Sequence, residues 1–202
     1  MVEAVWAVQG GVSGHRDAVV ELLLGMWRGA GAGAERGWVG TSLLQVGNVE
    51  EGDARAGGES GRCRFDPALH DGLDGVLAEV GVNAEDDDVR QGVARMLARC
   101  GFKTREVLDA LGRMWSAAEA EATRVAVAAA VRQVVGDKVG SLVYREADWR
   151  LLEVMGSEAR SDDVRVEVAG AVKLMAQMCP DLLRRHRLRK TLRGHSATAV
   201  QP

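Results

Sequence analysis

Aromatic side chains are scarce in this chain, at 4% of 202 residues, with two Phe, one Tyr and five Trp. A sandwich with a large aromatic core is therefore excluded, and Val, Leu, Ala and Met must do most of the packing, which suits close helix–helix contact. Cysteine is sparse too: Cys63, Cys100 and Cys179 are isolated, and no CxxC occurs. An odd set of widely spaced cysteines argues against a disulfide frame or a zinc site and for a reducing compartment with incidental thiols. No run approaches the ~20 apolar residues of a membrane span. The opening "MVEAVWAVQGGVSG" lacks a basic region followed by a sustained apolar stretch, so no secretory leader is expected. A soluble protein of the cytoplasm or nucleus follows as the expectation.

What is present is apolar residues at 47%, enough for a real core in a chain of this length. Proline is limited to 3 residues, whereas glycine is abundant at 25 and unevenly placed. The net charge of −3 conceals an asymmetry. Residues 184–193, "RRHRLRKTLR", hold six of the 26 Lys and Arg and none of the 29 acids, which leaves 20 bases against 29 acids elsewhere. An acidic body carries a basic tail.

Hydrophobic spacing predicts helices along most of the chain. In "HRDAVVELLLGMW" (15–27), Val19, Leu22, Leu23, Met26 and Trp27 form one stripe. Residues 28–62 then contain ten glycines, and a flexible insertion is expected there, with only "WVGTSLLQV" (38–46) apolar enough to dock. Asp66 as N-cap, Pro67 at the first helical position and Gly81 as terminator predict a helix over 67–80, striped by Leu69, Leu73, Val76, Leu77 and Val80. Further helices are expected in "DDDVRQGVARML", "TREVLDALGRMW", the Ala/Val stretch near 118–135 ended by Gly136, "EADWRLLEVMG", and a last one running to Pro180.

Three of these segments echo one another. "DDDVRQGVARML" (86–97), "EATRVAVAAAVR" (121–132) and "SDDVRVEVAGAV" (161–172) align Val89, Thr123 and Val164; then Arg90, Arg124 and Arg165; then Val93, Val127 and Val168; then Leu97, Val131 and Val172. Ala94, Ala128 and Ala169 follow the second apolar position. The offsets are 34 and 41 residues, and each interval holds one other helix, the period of two-helix repeats that cannot bury their faces alone. Over roughly 66–180 the chain resembles the HEAT/armadillo-type repeat superfamily. The resemblance implies an all-α fold, a short α-solenoid of antiparallel helix pairs with a glycine-rich N-terminal insertion. It also implies that Asp88 with Arg90, and Asp163 with Arg165, cap helices or bridge repeats, and that Ala lets helices approach closely. The middle copy departs, with Ala122 and Thr123 where Asp and Val would stand.

Motifs for chemistry are few. "GAGAGAERG" spells no GxGxxG, has no GK[ST] after it and no strand before it, so a linker is expected. "GESGR" around Ser60 lacks the strand–turn–helix context of a serine nucleophile. The acids Glu85–Asp88 stand at a helix start, where capping and the positive dipole end account for them better than a bound cation does. His70 and Asp74 are four apart but off the Leu69/Leu73/Leu77 stripe, which predicts a solvated face rather than a metal or base site. No catalytic, cofactor-binding or metal residue is expected, and no small-molecule substrate is indicated.

The expected organisation is an N-terminal helical segment (1–27), a glycine-rich flexible insertion (28–65), helical repeats (66–180) and a basic tail (181–202). The expected function is a non-catalytic scaffold or adaptor for a protein partner, as a subunit or fragment of a larger assembly. The tail leaves three readings open. Arg184, Arg185, Arg187, Arg189, Lys190 and Arg193 form a nucleic-acid or import patch; or Leu182, Leu183, Leu188 and Leu192 make a basic amphipathic helix; or the segment is a solvated terminus. The first of these gives the alternative function, a nucleic-acid-associated accessory protein.

Overall fold

The computed structural model describes residues 13–30, 34–47, 70–102, 104–136, 144–181 and 184. Among the described residues the chain is all-α, with eight helices and no strand. In chain order these are α1 (Ser13–Gly29), α2 (Ala34–Gly47), α3 (Leu73–Asn83), α4 (Asp87–Cys100), α5 (Arg105–Ala117), α6 (Glu121–Gly136), α7 (Glu146–Glu158) and α8 (Asp162–Met178). None of them is long and apolar enough to cross a membrane.

Local chemistry sets most helix ends. Asp86 caps α4, its carboxylate accepting the Asp88 N–H at 2.7 Å, and Gly101 closes that helix at φ 68. The acidic run before α4 thus has the capping role expected of it. Thr104 Oγ1 accepts the Val107 N–H at the start of α5, and Ser161 Oγ accepts the Val164 N–H at the start of α8.

Three expectations are corrected here. The helix expected over 67–80 starts instead at Leu73, after Gly72 in the left-handed conformation at φ 78, and runs on to Asn83; Asp66, Pro67 and Leu69 lie outside the described residues. Gly81, expected to end it, sits inside the helix as a contact point. A Cβ there would lie 2.7 Å from Met114 Sδ and 2.9 Å from Val93 Cγ1, so only glycine lets α5 pack this closely. The glycine-rich insertion is likewise interrupted by α2, 14 residues long, which buries Val39, Leu43 and Leu44. Three buried apolar side chains on a face that α1 and α3 can cover outweigh the helix-weakening glycines. Finally, Cys100 is disulfide-bonded, against the expectation of incidental thiols throughout, whereas Cys179 is free.

The helices pack as neighbours in sequence: α1 on α2, α3 on α4, α5 on α6, α7 on α8. The links between partners in the last three cases are three residues long, Ala84–Asp86, Ala118–Ala120 and Ala159–Ser161. The most extensive contacts are between pairs, α4 with α6 and α6 with α8, followed by α3 with α5.

The first pair carries the register of the three echoes a fourth time. Arg36 stands as Arg90, Arg124 and Arg165 stand, and Ala30 precedes it as Ala84, Ala118 and Ala159 precede the other three. Val39 then matches Val93, Val127 and Val168, and Leu43 matches Leu97, Val131 and Val172. In the preceding helix of each pair the same register holds Leu23, Leu77, Leu111 and Leu152, all buried. One contiguous cluster joins these positions from Val20 to Met175. Val172, in the last helix, is only partly buried, unlike its counterparts.

Leu97 is fully buried within this cluster, so Leu97→Ala is expected to destabilise the fold by ~2–5 kcal/mol in denaturant melts. Two glycines of α3 provide an internal contrast. Gly81→Ala should cost ~1–3 kcal/mol through overpacking, whereas Gly75→Ala, with open space around its Cβ, should be neutral or raise stability by up to ~1 kcal/mol.

Candidate binding groove and polar ladder

A recurring polar contact closes the three links. Arg90 Nη2 donates to Ala84 O at 2.6 Å, Arg124 Nε to Ala118 O at 3.3 Å, and Arg165 Nη2 to Ala159 O at 3.2 Å. Each alanine is the residue that ends the preceding helix, where carbonyls lack an intrahelical partner. The acids beside these arginines occupy a different position from the one expected. Arg90 pairs with Asp87 at 2.7 Å and Arg165 with Asp162 at 2.8 Å, while Asp88 and Asp163 point to solvent. Spacing explains the correction, since residues three apart on a helix are neighbours and residues two apart are not.

Moving the acid by one residue restores the middle copy, because Glu121 aligns with Asp87 and Asp162. These carboxylates also link successive pairs. Asp87 Oδ2 accepts the N–H groups of Glu119 and Ala120 at the start of α6, and Glu121 Oε1 accepts the Ser161 N–H at 3.1 Å at the start of α8. Burial pushes the Asp87 carboxyl up, but the Ala120 N–H, the Arg90 guanidinium and the Glu119 N–H outweigh it and hold the group below its ordinary range. Hydrogen bonding to Ser161 lowers Glu121 against a smaller opposing effect of burial.

Regularity fails between α5 and α7. Unlike α3 and α5, these helices touch little, and a groove of about 530 Å³ separates them. Leu108, Gly112, Ser116 and Ala117 of α5 face Ala147 and Leu151 of α7, with Asp109 and Arg113 at the rim. Polar contacts span each end. At one, Arg105 meets Asp148 through two bonds of 2.6 and 3.2 Å, with Asp148 only 4% exposed and also accepting the Arg145 N–H at 2.6 Å. At the other, Trp115 Nε1 donates to Glu158 at 2.8 Å. The floor is apolar and the Ser116 hydroxyl donates to Gly112 O, so the groove offers surface for an apolar side chain with charged groups at its edge.

His70 departs from the solvated position expected of it. It is 3% exposed, with Nδ1 2.7 Å from Glu21 Oε1 and Nε2 3.1 Å from Asp17 Oδ1, both on α1. Asp74 faces elsewhere and accepts the Thr104 hydroxyl at 3.0 Å. The partners of His70 are 49 and 53 residues away, beyond the reach of any local pattern. Its nitrogens face opposite sides, an anchoring geometry for α1. Among the described residues no group of three or more His, Cys, Asp or Glu could hold a metal.

The remaining expected residues fall into two sets. Val93, Leu97, Val127, Val131 and Val168 are buried, and Arg124 lies 5.3 Å from the Trp115 ring, as Arg36 lies 5.2 Å from Trp27. Arg184 is exposed, 3.9 Å from Asp181; Arg185, Arg187, Arg189, Lys190 and Arg193 lie outside the described residues. No protein-family model matches the chain, and neither a curated protein nor a solved structure does.

The depressed carboxyls predict a pH signature. A lowered folded pKa gives stability that is present above the unfolded value near pH 4 and is lost as pH falls through the folded value. An Asp87→Asn, Glu121→Gln chain should therefore melt below the wild type at pH 7, and the gap in Tm should close on acidification from about pH 5 to pH 2. A gap independent of pH would show that the ladder carboxylates act only through shape.

Proposed function

We propose that the chain is a short α-solenoid of helix pairs, HEAT/armadillo-like, that serves as a non-catalytic scaffold or adaptor and receives a protein partner in the α5–α7 groove. The observation that carries this reading is the groove itself: an apolar lining of Leu108, Ala147 and Leu151, bridged at its two ends by Arg105–Asp148 and Trp115–Glu158. The four-fold register supports the solenoid, because each copy contributes the same buried leucine and valine and an arginine at the same position. Apolar grooves with polar rims suit an inserted side chain from an extended or helical segment. Ala147→Arg places bulk and charge at an exposed position of the groove wall and leaves the core untouched. The tagged full chain should retain a defined protein from cell extract, Ala147→Arg should lose most of that retention, and the melting temperature should stay unchanged. Equal retention by both chains would reject the groove as the binding surface.

A second reading rests on the basic run 184–193, whose first arginine is exposed, and assigns the tail to a polyanion. With four to six phosphate contacts, log K against log salt should slope roughly −3 to −5, largely independent of base sequence. Replacing Arg184, Arg185, Arg187, Arg189, Lys190 and Arg193 by Ser should abolish that slope and leave the helical circular dichroism unchanged. Absence of polyanion affinity at low salt would eliminate this second reading.

A further inference from the structure

The second helices of the last three pairs lie side by side, α4 on α6 and α6 on α8. Their buried register falls three residues after the repeat arginine, at Val93, Val127 and Val168. Residues two positions before or after these are turned a little over half a turn away, toward the outer face. On that face Gln91, Val125 and Val166 come first, followed one turn later by Arg95, Ala129 and Gly170. The next turn brings Arg99, Arg132 and Lys173. Val166 is 62% exposed, and Val125 and Ala129 are half-buried on the adjoining helix. The acids of this face, Asp88 and Asp163, stand at the helix starts, and from Val93, Val127 and Val168 onward the three helices contain none. The face therefore runs from acidic through apolar to basic.

The cations at its basic end are not absorbed by the fold. Among the described residues the side chains of Arg95, Arg99 and Lys173 form no ion pair or hydrogen bond, in contrast to Arg90, Arg124 and Arg165. The helix dipole does not account for Arg95 and Lys173, since its effect falls off within the last turn and each stands five residues before its helix ends. Arg132 is laid across onto α8. A Cβ on Gly170 would lie 2.8 Å from Arg132 Nε, so the absent side chain lets the arginine cross to Glu167, which it meets at 3.1 Å, on the helix that carries Lys173. We propose that this face binds an acidic peptide segment of a partner protein, with carboxylates on Arg95, Arg132 and Lys173 and an apolar side chain on Val125 and Val166. Packed helices lie ~8–10 Å apart, so ~5–6 residues of extended chain span all three. A nucleic-acid backbone fits less well, because it leaves the apolar shelf unused and meets Asp88 and Asp163 at the far end of the face. The surface is separate from the α5–α7 groove and adds a second contact to the partner reading above.

The probe is a fluorescein-labelled heptapeptide with a central Leu and Glu at every other position, titrated against the full chain by fluorescence anisotropy. Binding is expected at low salt and should weaken as salt rises. The double variant Arg95→Glu, Lys173→Glu should lose affinity roughly ten-fold or more, at an unchanged melting temperature because both side chains are exposed. That variant should instead gain affinity for the heptapeptide with Lys in place of Glu, a reversal that a damaged fold would not give. Val166→Ser should weaken binding of the acidic peptide several-fold. Replacing the six basic tail residues by Ser, or Ala147 by Arg, should leave it unchanged. No binding at low salt, equal binding by the double variant, equal binding of a peptide with Gln for Glu, or loss confined to the tail variant would each overturn the proposal. So would displacement of the peptide from the tail variant by poly(U) RNA at lower concentration than by unlabelled peptide, which would assign the cations to phosphates. The groove plays no part in these readouts, so failure here leaves the groove reading to its own test.

Discussion

The guanidinium that reaches back to the end of the preceding helix is the contact on which the remaining geometry depends. Arg90, Arg124 and Arg165 each satisfy a carbonyl six residues earlier, at the place where a helix has run out of internal partners. A charged donor on a helix-terminal carbonyl is among the stronger hydrogen bonds in a protein. It fixes the link, and the link fixes the register of two helices together. Leu77, Leu111 and Leu152 in the first helix of each pair and Val93, Val127 and Val168 in the second all lie in one buried cluster. The acid three residues before each arginine then extends the same construction between pairs, through Asp87 to α6 and Glu121 to α8.

Much of this fold was legible from spacing. The all-α class, the three echoes and the buried valines follow from helical periodicity and self-similarity, both of which are local. The first copy is harder to read for a physical reason: Gly37, Gly40 and Gly47 weaken the helical signal of 34–47 and leave 38–46 legible only as a segment able to dock, although Val39, Leu43 and Leu44 hold the core register. Glycine lowers helix propensity, but a face buried against two other helices overrides it. The acid that pairs with Arg90 is Asp87, not Asp88. Adjacency to Val-Arg in sequence suggested one residue, and three-residue helical proximity selects the other. His70 could not have been placed at all, since its two carboxylates come from α1.

The groove belongs to the same class as His70. No residue of α5 or α7 is unusual in sequence, and the space arises because α6 and α8 pack extensively while α5 and α7 do not. Glycine decides how near neighbouring pairs come: Gly81 lets Met114 of α5 pack closely on α3, whereas across the groove Leu151 lies at ordinary contact distance from a Cβ built on Gly112. Close packing makes the first seam resistant to deformation. The second depends on one ion pair and one indole hydrogen bond, contacts that gain little net free energy over their hydrated alternatives.

That difference sets where solvent competes with packing. The α6–α8 side is held by extensive contact between the two helices, whereas the α5–α7 side is bridged by Trp115–Glu158 and Arg105–Asp148, polar contacts whose groups water can also satisfy.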